Sequence, residues 1–239
     1  MKRAIWFLII ALFMALIVQP NLSSNQDPNL RTPTNTTSQA RTNDNIDIGL
    51  SESKATICLD AANGGNDTGY VVNDETMEKD LNLALVLKIG EYLSQADYNV
   101  VYTRSDDSTI AETSEDGNEN QRVQIAKQNQ ADYLISIQMA DDVDTTIKGY
   151  SFFIHPDENL IDLANTINDK LMAINYSRFD GLDSDHYENF SILQDADLPS
   201  LLIQIGYLTN EQDVQNLTDE HFQDLIARAV SEAILMEIN

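Results

Sequence analysis

From Lys54 onward the chain alternates short apolar runs with stretches of helical periodicity. Residues 55–60, 99–103, 132–138, 150–154 and 201–205 are rich in β-branched side chains and read as strands buried on both faces. Between the first two, residues 77–95 place Leu81, Ala84, Leu85, Ile89 and Tyr92 at helical spacing. Further helices are predicted over residues 120–130, 160–174 and 219–236, the last with Phe222, Ile226, Ala229 and Ala233 facing one way. Strands interleaved with helices predict an α/β fold, a three-layer sandwich whose largely parallel, twisted sheet of about six strands carries helices on both faces. In such sheets functional side chains collect in loops at the carboxyl ends of the strands. Residues 105–121, acidic and containing Gly and Asn, are expected to form a loop over one end of the sheet.

The pattern upstream is different. Met1-Lys2-Arg3 precedes an apolar run, Ala4 to Val18, and no A-x-A pattern follows it. Residues 1–20 therefore read as a signal peptide or an N-terminal membrane anchor, with Lys2 and Arg3 kept on the cytoplasmic side and the rest of the chain extracytoplasmic. Residues 21–53, rich in Asn, Ser and Thr and without apolar periodicity, read as a disordered linker. Residues 54–239 then form the α/β domain.

Charge narrows the function classes. The net charge is −25, and residues 1–53 hold as many basic as acidic side chains, so the whole excess lies in the α/β domain. Such a surface repels phosphate backbones, which argues against nucleic-acid binding. The one cysteine, Cys58, sits in the apolar run Thr56-Ile57-Cys58-Leu59 and reads as a small buried hydrophobe.

Candidate chemistry falls at corresponding places: Asn63 after the first strand, Glu78 at the start of the next helix, Gln138 near the end of "ISIQ" and Gln204 in "LLIQIG". Around them the motifs Asp60 to Gly69 (DAANGGNDTG), Glu78 to Leu83 (EKDLNL), Ala131 to Asp141 and Gln204 to Asn210 (QIGYLTN) follow in order. On these motifs the domain resembles the zinc-dependent N-acetylmuramoyl-L-alanine amidases (type 3) of bacterial cell-wall turnover. The resemblance implies a zinc ion held by His, Glu and His, with a further Glu as general base for the attack of water on the amide between muramic acid and L-alanine. The ligand positions are Asn63, Glu78 and Gln138 here, and the base position is Gln204.

Two imidazoles have thus become carboxamides, poor zinc donors, and the base has become a group that cannot accept a proton. Zinc is not expected to bind, and the expected function is a pseudoenzyme that binds peptidoglycan, a muropeptide or a protein partner, or regulates a wall hydrolase. Two alternatives remain: an active amidase with an atypical metal site, and a structural module that no longer touches the wall. His155, His186 and His221 read as loop or helix-cap residues without ligand spacing. A hard-cation site from Glu78, Asp67, Asp141 and Asp142 is the remaining way to hold a metal.

Overall fold

A computed structural model of the chain describes residues 54–110 and 120–238. The expectations for residues 1–20 and 21–53, and for the middle of the loop predicted over 105–121, lie outside the described residues. The elements run β1 (Thr56–Ala61), β2 (Val71–Asn73), β3 (Thr76–Met77), α1 (Glu78–Gln95), β4 (Asn99–Tyr102), α2 (Gln121–Gln128), β5 (Tyr133–Ala140), β6 (Tyr150–Ile154), α3 (Glu158–Ala173), β7 (Phe179–Asp183), β8 (Ser200–Tyr207), α4 (Glu211–Thr218) and α5 (Glu220–Glu237). Two 3₁₀ turns, Tyr187–Asn189 and Ser191–Leu193, lie between β7 and β8. Among the described residues no helix is long and apolar enough to cross a membrane.

Six strands form one sheet in the order β4-β1-β5-β8-β6-β7, and β2 and β3 make a separate hairpin. β1 pairs in parallel with β4 and β5, β5 with β8, and β6 with β7, whereas β6 runs antiparallel to β8. The expected largely parallel sheet of six strands is present, and the antiparallel pairing of β6 with β8 makes it mixed.

Alternation within each strand divides the side chains between two layers. Ile57, Leu59, Ile135, Ile137, Leu201 and Ile203 face α1, α3 and α5 in the larger core, whose helices contribute Leu85, Ile89, Leu163, Ile167, Ile226 and Val230. Cys58, Leu134 and Leu202 face the other way, onto Val123 and Ala126 of α2 and Ile192 and Leu193 of the second 3₁₀ turn. Helices therefore cover both faces, but unequally. Full burial of each Leu or Ile is worth about 1.5–3 kcal/mol, so the three-helix face carries most of the hydrophobic stabilisation.

The helix starts follow from local hydrogen bonds. Asn120, Asp157, Asn210 and Asp219 each cap a helix by accepting backbone N–H groups of its first turn. Two expectations need correction. β4 is an edge strand that is not buried on both faces, and β6 alternates buried and half-buried residues, its second face packing Phe153 against Phe190. β7 and α4 went unpredicted, since Gly181 and two aspartates break the apolar run of the first, and the second is a short helix whose apolar side chains are Val214 and Leu217 alone, its other buried positions being Asp213 and Asn216.

Candidate active site

The segment after β1 turns sharply. Asn63 adopts a left-handed backbone (φ 61°), a conformation that asparagine tolerates better than most residues. Two buried guanidinium groups hold the carbonyls of this turn. Arg104 donates to Ala61 O and Ala62 O, both at 3.0 Å, and to Lys79 O at 2.8 Å. Arg122 donates to Ala61 O at 2.8 Å and Asn63 O at 3.0 Å.

Beneath the turn lies Asp60, 1% exposed. Its carboxylate accepts from Arg122 Nη1, Thr103 Oγ1 and Ser136 Oγ, each at 2.6 Å. A buried carboxylate persists only when its lone pairs are met in this way.

Asn63, Glu78 and Gln138 line one cavity of about 270 Å³ at the carboxyl ends of β1 and β5. Its floor includes Asp60, Arg122 and Ser136, and one wall is Phe190, Ile192 and Leu202. Gln204 lies beside Gln138 in the register between β5 and β8 but is not among the residues lining the cavity. Its Oε1 instead accepts from Ser151 Oγ at 3.1 Å. The structure thus brings three of the four sequence-derived positions into one cavity and sets the fourth on the neighbouring strand.

Glu78 is the ionisable group among them. Tyr70 N donates to its Oε2 and Met139 N to its Oε1, both at 3.0 Å. Burial holds its carboxyl above the ordinary carboxylate range; the two N–H groups and the Asn82 amide pull it back down, and the negative charge of Asp67 adds a push upward. Gly69 makes the approach possible, because a Cβ there would meet Glu78 Oε2 at 2.6 Å and Asn63 Oδ1 at 2.8 Å.

Asn63 is engaged on both sides. Its Nδ2 donates to Asp67 Oδ2 at 2.9 Å, and Asn82 Nδ2 approaches its Oδ1 at 3.5 Å. Asn82 is fully buried behind it, donates to Ala62 O at 3.2 Å, and keeps an Oδ1 with no donor.

The histidines stand apart from this cavity. His155 follows β6, and because β6 runs antiparallel to β8 its carboxyl end lies at the opposite end of the sheet from the cavity. There its ring packs edge-on against Tyr187 at 4.6 Å. His186 Nδ1 pairs with Asp183 Oδ2 at 2.8 Å, and His221 lies in the first turn of α5.

Sequence reasoning did not single out Asp60, Arg104, Arg122 or the wall from the 3₁₀ turns. The one signal available was an aspartate ending an apolar strand, a position where an unpaired carboxylate would be too costly to bury.

The fold is that of solved cell-wall amidases. The catalytic domain of CwlV, an N-acetylmuramoyl-L-alanine amidase from Bacillus (Paenibacillus) polymyxa var. colistinus, is 25% identical, with a TM-score of 0.67 over 77% of this chain and 99% of that one. The CwlD amidase of Clostridioides difficile, solved in complex with the GerS lipoprotein, is 30% identical, with a TM-score of 0.62 over 77% of this chain and 98% of that one. The uncharacterised protein YqiI of Bacillus subtilis (strain 168) is 32% identical over 183 residues, which cover 75% of this chain and 82% of YqiI. The sequence pattern of the N-acetylmuramoyl-L-alanine amidases matches residues 57–236, and the chain belongs to that family of peptidoglycan hydrolases.

The donor set present does not fit the zinc ion that this family typically uses. Where the resemblance implies imidazole ligands, Asn63 and Gln138 offer neutral carboxamides, and Asn63 directs its amide N–H at Asp67. Among the described residues no three His, Cys, Asp or Glu side chains converge as a metal site, including the set of Glu78, Asp67, Asp141 and Asp142.

Proposed function

We propose that the chain is an extracytoplasmic, amidase-like protein of peptidoglycan metabolism, a zinc-less pseudoenzyme that binds cell wall or regulates a wall hydrolase. The observation that carries this reading is the chemistry of the site: carboxamides at Asn63 and Gln138 in the cavity and, on the neighbouring strand beside Gln138, Gln204, a group that cannot take a proton. Loss of a general base alone typically costs about 10²- to 10⁴-fold in rate, and loss of two of three ligand side chains removes the means of activating water. What remains is a folded, polar cavity with amide donors and acceptors suited to a peptide-like group. A muropeptide stem or a polypeptide segment has that chemistry. The complex of CwlD with GerS supports a protein partner for this fold. The basic start and apolar run Ala4 to Val18 support delivery to the membrane and the extracytoplasmic side.

A second reading, an active amidase with an atypical metal site, is favoured by Glu78 lying in the cavity with Asp67 on the adjoining loop. Metal analysis of the purified chain, combined with incubation on sacculi, separates the two. The pseudoenzyme binds sacculi or a partner, carries no zinc and releases no stem peptides; stoichiometric tight zinc, or stem-peptide release abolished by a chelator, overturns it. Restoring the family's residues together (Asn63→His, Gln138→His, Gln204→Glu) is expected to confer zinc binding that the natural chain lacks.

A further inference from the structure

The dipeptide Asn63–Gly64 joins an asparagine to the residue that least hinders attack on its side chain. In such a pair the deprotonated glycine nitrogen can attack the asparagine Cγ. The Cγ–Nδ2 bond breaks and ammonia leaves. Water then opens the resulting succinimide to aspartate or isoaspartate. One water is consumed, one ammonia is released, and nothing is oxidised or reduced.

In the folded chain both reacting groups are tied to a single residue. Gly64 N donates to Asp67 O at 2.8 Å, and Asp67 N returns a bond to Gly64 O at 3.1 Å. The departing group, Asn63 Nδ2, donates to Asp67 Oδ2 at 2.9 Å. Arg122 fixes the carbonyl between them through its 3.0 Å bond to Asn63 O. Attack requires Gly64 N to leave Asp67 O and the Asn63 side chain to leave Asp67 Oδ2 in the same opening event.

We infer that Asn63–Gly64 is a covalent modification site, a deamidation switch that Asp67 holds shut in the folded loop. Opening of the loop turns the carboxamide into a carboxylate. The new anion then faces Asp67 Oδ2, where an N–H had donated, and stands close to Glu78. Repulsion replaces the closing hydrogen bond, so the loop cannot return to its former geometry, and the change runs one way. This chemistry belongs to the loop itself and is independent of the reading proposed above, whose failure would leave it untouched.

The test is peptide mass spectrometry of Asn63 after incubation of the purified full chain in mildly alkaline buffer, with and without denaturing urea. The native chain is expected to deamidate at least about ten-fold more slowly than the unfolded one, because reaction then runs through the opened fraction only. Asp67→Ala, checked for folding by circular dichroism, is expected to raise the native rate by about ten-fold or more, whereas Asp67→Asn, which keeps an acceptor for Asn63 Nδ2, stays slow. Equal rates in native and unfolded chains, or a folded Asp67→Ala chain as slow as the natural one, overturn the inference. Should Asp67→Ala not fold, hydrogen exchange at Gly64 N in the natural chain decides: protection matching the slowed deamidation supports the switch, and an unprotected amide overturns it.

Discussion

Asp60 is the residue on which the site's shape turns. It is 1% exposed and meets the guanidinium of Arg122, which in turn holds the carbonyls of Ala61 and Asn63. Asp60→Ala leaves that guanidinium without its counter-charge in a buried place, an expected loss of about 3–5 kcal/mol in denaturant unfolding. Asp60→Asn keeps an acceptor and should cost less. At this scale the sequence showed which side-chain types stood at Asn63, Glu78, Gln138 and Gln204, but not their partners. The hydrogen bond from Asn63 to Asp67 was hidden because each residue's bland role in a glycine turn predicts nothing about side-chain direction. The placing of Gln204 on Ser151, outside the cavity lining, was equally invisible, since it depends on a strand paired across the sheet.

Among the elements, the most constrained contact is α1 against β4. A Cβ on Gly90 would lie 1.9 Å from Tyr102 Oη and 2.6 Å from its ring, so the helix approaches the strand through the missing side chain. Helix propensity favours alanine by about 1 kcal/mol at such a position. Overpacking costs about 1–3 kcal/mol and wins, because the added methyl would meet the ring carbons of Tyr102 as well as its hydroxyl, and the Tyr102 backbone is paired in the sheet. Gly90→Ala is therefore expected to lower the unfolding midpoint, with partial recovery in the double variant carrying Tyr102→Phe. The element boundaries themselves were largely legible. Residues 77–95 and 219–236 carried a full helical stripe, and the helices found are Glu78–Gln95 and Glu220–Glu237. β7 was not legible, because an edge strand needs apolar residues on only one face and Gly181 interrupts even that.

Taken as a whole, the molecule buries several groups in their neutral forms. Burial pushes the Cys58 thiol from its ordinary 9.0 up to about 12, with Asp60 adding to it. Burial also lifts the Tyr150 phenol to about 12 and the Tyr176 phenol well above its usual value. All three lose their protons more readily when unfolded, so their contribution to stability is complete below about pH 9 and is lost as pH rises toward the folded values. Thermal melts followed against pH should fall on the alkaline side from about pH 9 upward, and Cys58→Ala should flatten the first part of that fall. A melt that stays level through that window contradicts the assignment. In the same state the Cys58 thiol should resist thiol reagents until the chain unfolds.

Sequence alone established the fold class, the core stripes and the family, because burial is written as period 2 in strands and period 3.6 in helices and because the motifs stand in order. It also determined the chemistry available at Asn63, Gln138 and Gln204, since a carboxamide cannot become an imidazole or a base in any fold. Tertiary packing sets β6 and β7 against the direction of the rest of the sheet, which carries His155 away from the cavity. Periodicity records which face is buried and is silent on strand direction. The same holds for the clamp of Arg104 and Arg122 on the turn after β1, for the cavity shared by Asn63, Glu78 and Gln138, and for the grip of Asp67 on Asn63 and Gly64. Each is a directional contact whose angle and distance are set by the folded backbone rather than by composition or spacing.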